Sequence, residues 1–128
     1  MDLEAGHVET AERTFTPEDV RTFTEVSGDR GDHHLETDEE GRLLVHGLLT
    51  ATLATEIGGR FTVLARTMEY SFRQPVYTGE RIRCVAEFTQ VDQREDGRTE
   101  VAADLRFHRI DNETPTLVAT GSWDGVIE

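Results

Sequence analysis

The chain has 128 residues, enough for one domain, which we predict to span residues 1–128, and too few for two ordinary ones. Its 26 acidic and 13 basic residues give a net charge of −13, which argues against nucleic acid or an anionic membrane surface as a partner. The longest apolar-rich run, residues 43–55, is shorter than the roughly 20 residues that cross a membrane. The acidic N-terminus lacks the apolar core of a signal peptide, so we expect a cytoplasmic protein.

All 13 basic residues are arginines. An acidic surface with Arg in place of Lys predicts a halophilic protein in a salt-rich cytoplasm, where salt screens the self-repulsion. A GC-rich genome, which favours Arg codons, explains the same bias and stays an alternative. The one cysteine, Cys84, excludes an internal disulfide and a cysteine-rich metal site, and its strand-like segment favours a packing role.

The first elements along the chain are a polar segment and a short helix. Residues 1–12 are predicted to be frayed or to form a short edge segment. Thr16 can cap a helix that starts at Pro17, and Gly28 ends it. One apolar face is predicted on this helix, formed by Val20, Phe23 and Val26.

A second helix follows a polar loop over residues 29–42. Residues 46–59 are apolar on nearly every side of a helix, as in the run Leu48-Leu49, so a buried helix is predicted. The Gly58-Gly59 pair is expected to end it. Glu56 is its one charged residue, either a reactive carboxylate or a polar group facing solvent or another subunit.

The remaining sequence predicts strands at 62–72, 80–92, 98–110 and 116–127. Alternating apolar residues are expected to face the core, namely Ile82, Cys84, Ala86, Phe88, Val101, Ala103, Leu105, Phe107, Leu117, Ala119, Gly121 and Trp123. Short turns between the strands favour antiparallel pairing. One buried helix wrapped by an antiparallel sheet is an α+β arrangement.

The residues that can carry chemistry cluster before the buried helix. Asp29 and His34 are five residues apart in a loop, so a carboxylate and an imidazole can hold one water in one pocket. His46 and Gly47 begin the buried helix, whose free N–H groups can stabilise an oxyanion. Gly47 can instead serve only a tight helix entry, and His46 can simply cap or pack. His33 leaves the choice of imidazole open.

Four segments together resemble a known family. They are F-T-x-x-D-V-x-x-F at 15–23, S-G-D-x-x-x-x-H at 27–34, V-H-G-L-L-T-A-T-L at 45–53 and F-R-Q-P-V-Y-T-G-E at 72–80. In this order they resemble the MaoC-like dehydratases, which include the (R)-specific enoyl-CoA hydratases and have the hotdog fold. The resemblance covers about residues 13–125.

The resemblance implies an enzyme, a hydro-lyase that adds water to a trans-2-enoyl thioester or removes it from the (R)-3-hydroxy form. Asp29 and His34 match the family's catalytic residues, and Gly47 matches the amide that holds the thioester oxygen. No metal or other cofactor is implied. The expected partners are an acyl-CoA or acyl-carrier-protein thioester as substrate and a second copy of the chain in a homodimer.

Three further residues are candidates for substrate binding. These are His46, at the start of the buried helix, and Arg66 and Arg73, which could hold CoA phosphates. Each arginine can equally be an ordinary solvated side chain.

The sequence departs from the family's motif at Gly31-Asp32, where the hydratases have Asn-Pro. This departure keeps two alternatives open. One is an acyl-CoA thioesterase on the same fold, for which Glu56 is the candidate carboxylate. The other is a noncatalytic acyl-CoA-binding subunit.

Overall fold

The computed structural model describes residues 3–128, which form three helices and five strands. The helices are α1 (Pro17–Ser27), α2 (Asp32–Leu35) and α3 (Gly47–Arg60). The strands are β1 (Val8–Thr14), β2 (Val63–Phe72), β3 (Arg81–Gln93), β4 (Thr99–Arg109) and β5 (Thr116–Ile127). Within this part of the chain, none of the helices is long and apolar enough to cross a membrane.

The five strands form one antiparallel sheet in the order β1-β3-β4-β5-β2. Helix α3 packs against β1, β2 and β3. The predicted α+β arrangement of one helix on an antiparallel sheet is therefore confirmed. Strands β1 and β2 are the two edges of the sheet, so each has one side without a neighbouring strand among the described residues.

The alternating pattern of β3 and β4 places their apolar residues as predicted. Eight side chains on these two strands are at most 1% exposed: Ile82, Cys84, Ala86, Phe88, Val101, Ala103, Leu105 and Phe107. Burial raises the pKa of the Cys84 thiol to about 12, so the side chain stays a neutral packing group. In β5, Ala119 and Trp123 are buried, but Leu117 is only half-buried, because the pairing register with β4 shifts between Phe107 and His108.

Several expectations about the helices were wrong. Val26 is 80% exposed, and the polar Thr24 takes the buried place on α1. Leu48 is 61% exposed, so α3 is buried on one side only. The glycine pair does not end α3, which continues to Arg60, because glycine lowers helix propensity without preventing an i→i−4 hydrogen bond.

The N-terminal segment forms the edge strand β1, which pairs with β3 from Val8 to Thr14. The edge interpretation of residues 1–12 therefore holds for its second half, while Met1 and Asp2 lie outside the described residues. The capping box of α1 is present, since the Thr16 hydroxyl accepts from the Asp19 amide and the Asp19 carboxylate accepts from the Thr16 amide.

A short extended segment before α3 fixes where that helix starts. Residues 43–45 lie antiparallel to residues 76–78, with a bridge between Leu44 and Tyr77 and a hydrogen bond from the Val45 amide to the Val76 carbonyl. The backbone then turns at His46, so the amino end of α3 is held beside this pair of segments.

Candidate active site

Asp29 follows the end of α1, and the helix cap sets its position. Gly28 has φ 74°, in the left-handed region that favours glycine, and its amide donates to the Thr24 carbonyl. The Asp29 carboxylate then accepts a hydrogen bond from the Gly31 amide at 3.2 Å. This bond, aided by the neighbouring His34, holds the pKa of the Asp29 carboxyl below its usual value, so Asp29 is a carboxylate at neutral pH.

His34 lies on the single turn α2 and is buried. Its Nδ1–H donates to the Leu44 carbonyl oxygen at 2.7 Å, because a carbonyl can only accept. In the neutral ring the other nitrogen, Nε2, then has a free lone pair. This Nε2 is 3.5 Å from Oδ2 of Asp29, so the structure brings the two predicted catalytic side chains together.

The contact between Asp29 and His34 has a chemical consequence. A carboxylate and the bare Nε2 of a neutral imidazole are both acceptors, so a proton has to lie between or beside them. A water molecule can donate one hydrogen to each, or Nε2 can itself carry the proton. The pair is thus able to take a proton from water and to return one.

His46 is buried directly beneath this pair. Its ring stacks on His34 with a centroid distance of 3.7 Å and an interplanar angle of 15°. Its Nε2 lies 3.3 Å from the Asp29 carbonyl oxygen and 3.2 Å from Oγ1 of Thr24, so Nε2 carries the hydrogen. Burial lowers the pKa of His46, which keeps the ring neutral. His46 is outside the set of residues lining the pocket described below; its ring also packs against Phe23, and its Nδ1 has no hydrogen-bond partner among the described residues.

Asp29, His34 and His46 place donor atoms within 4.8 Å of one another, a separation suited to a metal ion. The orientation of the rings is not suited to one. A metal lies in the plane of each imidazole that binds it, and two rings stacked at 15° direct their lone pairs along nearly parallel lines. The geometry of the cluster therefore suits proton transfer better than the binding of a metal ion.

Gly47 is the first residue of α3, and its lack of a side chain leaves room for a neighbouring aromatic ring. A Cβ there would come within 2.9–3.0 Å of the ring of Phe72, the last residue of β2. The space beside Gly47 is therefore filled by an aromatic ring. The helix N-terminus keeps its free amides and the positive end of the helix dipole.

A pocket of about 420 Å³ opens between His34 and the amino end of α3. Its wall is mostly apolar, with contributions from Leu44, Val45, Phe72, Val76, Val118 and Ala119. Gly47 and Thr50 line the same pocket. Thr50 is 2% exposed, and its hydroxyl has no hydrogen-bond partner among the described residues, at a cost of roughly 1–3 kcal/mol when such a group is left unsatisfied.

The two candidate arginines lie in different places. Arg73 is exposed at the pocket and has no carboxylate within 4 Å among residues 3–128. Arg66 lies at an irregularity of β2, where it pairs with Glu100 and Asp124, and it is not among the pocket residues. The structure therefore brings Arg73, but not Arg66, to the same pocket as His34.

Two other sequence features are accounted for by neighbouring side chains. A Cβ at Gly31, where the hydratases that the sequence resembles have Asn, would meet the ring of His33 at 2.8 Å, so this ring occupies the space beside Gly31. Glu56 is exposed on α3 and pairs with Arg60 at 2.8 Å, away from the residues of the pocket.

Sequence reasoning missed three features of this site: the Leu44 carbonyl that orients His34, the stacking of His46 on His34, and the unpartnered Thr50 hydroxyl. The apolar run of residues 43–45 was a signal for the short extended segment that presents Leu44. The other two depend on distances between separate elements, for which a single sequence has no signal.

The sequence matches no protein-family model and no curated protein. Solved structures are similar over nearly the whole chain. An (R)-hydratase from A. caviae involved in PHA biosynthesis has a TM-score of 0.79 at 24% identity, covering 96% of each chain. The MaoC-like dehydratase from Rhodospirillum rubrum has a TM-score of 0.74 at 16% identity, covering 98% of this chain and 93% of that chain.

The fluoroacetyl-CoA thioesterase FlK is also similar, with a TM-score of 0.68 at 12% identity over 99% of this chain and 90% of that chain. At these identities the similarity establishes the fold and leaves the activity open, since one fold carries different chemistries. The predicted hotdog fold is confirmed, and with it the resemblance to MaoC-like dehydratases at the level of the fold.

Proposed function

We propose that the protein is an (R)-specific enoyl thioester hydratase, or 3-hydroxyacyl thioester dehydratase in the reverse direction. The observation that carries this proposal is the 3.5 Å approach of Asp29 Oδ2 to His34 Nε2 beside the pocket at the amino end of α3. Hydration needs a base for water, a proton donor for carbon and a site for negative charge on oxygen. Asp29, His34 and the α3 terminus with Gly47 are suited to these tasks.

The reaction follows from these roles. Asp29 and His34 hold a water and take its proton as the water oxygen bonds to Cβ of the enoyl group. The electron pair of the Cα=Cβ bond moves to form an enolate, whose oxygen lies against the Gly47 amide and the positive end of α3. The proton held by the pair then returns to Cα. Dehydration is the same sequence reversed.

The pocket and its surroundings support a thioester substrate. Its apolar wall suits an acyl chain, and a metal or other cofactor has no task in the steps above. The exposed Arg73 is suited to a phosphate of the carrier, CoA or the phosphopantetheine of an acyl-carrier protein. In an acidic chain, an arginine without a nearby carboxylate is a favourable place for that contact.

The test is a pair of assays on the purified protein with short trans-2-enoyl-CoA substrates. Loss of the enoyl absorbance without release of free thiol is the expected result. Release of thiol would instead indicate the thioesterase alternative, which the similarity to FlK keeps in view. Saturable binding with neither change would indicate a noncatalytic acyl-CoA-binding subunit, and chiral analysis of the product tests the (R) assignment.

The homodimer remains a proposal, and the edge strand β2 supports it. Its outer edge has no neighbour among the described residues, and Leu64 and Met68 are 64% and 55% exposed there. A second copy can cover such an apolar edge. We expect Met68→Glu to yield monomers in light scattering, while Val8→Glu on the opposite edge β1 leaves the dimer intact.

A salt-rich cytoplasm is likewise a proposal, supported by the net charge of −13. Most arginines already pair with carboxylates, as Arg83 does with Glu12, so the excess acids repel one another. Raising KCl from 0.1 M to 2 M should raise the unfolding temperature by screening that repulsion. An unchanged or lower unfolding temperature would favour the genomic explanation of the Arg bias.

A further inference from the structure

Thr50 is a buried side chain whose role the fold does not explain. Its hydroxyl is shielded from solvent, and no group in residues 3–128 accepts or donates a hydrogen bond to it. The hydroxyl of Thr52, two residues further along α3, instead donates a hydrogen bond to the Leu49 carbonyl of the same helix. The hydroxyl of Thr24 also has a partner, the His46 ring. Thr50 is thus left with an unmet hydrogen bond, whereas the hydroxyls of Thr52 and Thr24 have partners. The only other unpartnered buried side-chain atom among the described residues is Nδ1 of His46.

The position of Thr50 on α3 relates it to Gly47. Residues three apart lie on the same face of a helix, and the side chain of the later residue leans towards the amino end. Both residues line the pocket that also contains His34. The Thr50 side chain therefore stands one turn behind the free amides of the helix terminus, on the face that meets the ligand.

The other residues that line the pocket limit which ligand groups the Thr50 hydroxyl can bind. Thr50 shares the pocket with apolar side chains such as Phe72, Val118 and Ala119. The Thr50 hydroxyl is already unsatisfied before a ligand binds, and an acyl chain against these side chains leaves it so unless the ligand supplies a polar atom there. In an acyl thioester, the polar atom nearest the reacting carbons is the carbonyl oxygen.

We infer that the Thr50 hydroxyl donates a second hydrogen bond to the thioester carbonyl oxygen, beside the Gly47 amide. The inference rests on the proposed function, because it assigns a role in the same reaction. As the water oxygen bonds to Cβ, the electron pair moves to the carbonyl oxygen, and the growing negative charge there strengthens the hydrogen bond from Thr50. No covalent bond of Thr50 forms or breaks. Its contribution is greatest in the transition state, so it acts on kcat more than on KM.

The substitution Thr50→Val removes the hydroxyl and keeps the shape of the side chain. We expect kcat for an enoyl-CoA to fall about 10- to 100-fold, with KM changed less than about threefold. Thr50→Ser keeps the donor and should retain most of the rate. Thr52→Val is the matched control on the same helix and should leave kcat unchanged.

The stability of the same variants separates this role from a structural one. Because the Thr50 hydroxyl has no partner in the described part of the chain, Thr50→Val should unfold at the same temperature as the wild type or at a higher one. A lower rate together with a lower unfolding temperature, and with an equal loss in Thr50→Ser, would show that packing and not the donor matters, which would overturn the inference.

A spectroscopic measurement tests the contact without turnover. Enoyl-CoA carrying a ¹³C label at the carbonyl is bound to His34→Ala, and its carbonyl stretching band is recorded by infrared difference spectroscopy. Adding Thr50→Val should move the band to higher wavenumber, because the carbonyl is less polarised once it has lost a hydrogen bond. An unmoved band would overturn the inference.

The two proposals fail in different ways. If the wild type turns over no enoyl thioester but the band still responds to Thr50→Val, the hydratase function fails and the Thr50 contact stands. If the wild type is an active hydratase and Thr50→Val matches it in kcat and in the band position, only the Thr50 contact fails. Absence of any enoyl-CoA binding overturns both.

Discussion

The faces that β3 and β4 turn to the core and the amino end of α3 are built on opposite principles. The buried side chains of the two strands, such as Phe88 and Phe107, are apolar and closely packed. The amino end of α3 instead buries two imidazoles, His34 and His46, and an unpartnered hydroxyl, that of Thr50. One region removes apolar surface from water, whereas the other holds polar groups in a low-dielectric setting.

This difference indicates that the core of β3 and β4 contributes mainly to stability, whereas the amino end of α3 is arranged for the proposed chemistry. Unsatisfied buried polar groups are costly, so they persist only where the rest of the fold is stable enough to hold them. The buried apolar side chains of β3 and β4 supply this stability, which offsets the cost of holding Asp29 and His34 in place. Mutations in the two regions should therefore alter different measured quantities, and the following experiments test that separation in order of expected effect.

The largest effect is expected from Asp29 and His34, the proposed catalytic pair. Asp29→Asn and His34→Ala should each lower the hydratase rate by roughly 10²–10⁴, because each removes one member of the proton-transfer pair. Circular dichroism and thermal melting should show a folded protein in both cases, since Asp29 is half-exposed and His34 is absent from the apolar cluster of the core. Turnover equal to that of the wild type in both variants would reject the assigned roles.

The core should respond in the opposite way. Phe88→Ala removes a side chain that is 0% exposed and packs against Phe61 and Trp123, so it should lower the free energy of unfolding by about 3–5 kcal/mol. The rate per folded molecule should stay near that of the wild type. Denaturant titration gives the free energy of unfolding, and initial rates divided by the concentration of folded protein give the rate per folded molecule. Phe88→Leu should show a smaller loss of stability. A large loss of rate per folded molecule would contradict the separation.

Glycines in the two regions offer a matched pair of substitutions. A Cβ at Gly125 in β5 would lie 2.2 Å from the Leu64 carbonyl oxygen, a backbone atom that cannot move aside, so Gly125→Ala should cost about 3 kcal/mol. The atoms nearest to a Cβ at Gly47 belong to the half-exposed ring of Phe72, which can turn away, so Gly47→Ala should cost about 1 kcal/mol.

Activity should reverse this ranking of the glycine variants. Gly47→Ala displaces Phe72 from the pocket wall and should lower kcat/KM by more than its small effect on stability explains. A shorter side chain in Phe72→Leu should relieve the contact and restore part of the stability of Gly47→Ala. Chemical denaturation and initial rates check both statements, and equal stability losses for Gly47→Ala and Gly125→Ala would contradict the proposed difference.

The smallest effect concerns acid stability. Burial holds the pKa of His46 below its ordinary value of about 6.5, so the unfolded chain binds more protons than the folded one as the pH falls below that value. The stability due to neutral His46 is complete above pH 6.5 and is lost as the pH falls towards the depressed pKa. The lowered pKa of Asp29 acts only below about pH 3.8 and does not interfere.

His46→Asn keeps a donor for the Asp29 carbonyl and removes the titrating group. The denaturation midpoint of the wild type should fall between pH 6.5 and pH 5 more steeply than that of the variant. Parallel curves for the two proteins over this range would show that His46 does not contribute to the pH dependence.

The strands were the most predictable part of the fold, and the reason is local. A residue on β3 is buried or exposed by its parity, so Ile82, Cys84 and Phe88 could be assigned from the pattern alone. The helices were less predictable because their exposed faces depend on what packs against them. Nothing in the sequence around Leu48 says which side of α3 the sheet covers.

The site divides in the same way. Asp29, His34 and Gly47 were identified from spacing and from a resemblance, and the helix cap at Gly28 explains why Asp29 stands where it does. The stacking of His46 arises from three segments meeting in space, so no local pattern could indicate it. Arg66 was named for its closeness in sequence to the resembling segments, but its neighbours on the sheet are carboxylates.

Phe72 belongs to two parts of the molecule at once. It is the last residue of the outermost strand β2, and its ring lies against Gly47 and lines the pocket. Under the proposed dimer, a second copy that docks along this margin of the sheet would press on a ring that lines the proposed site. Dimer formation and ligand binding would then act on the same aromatic side chain.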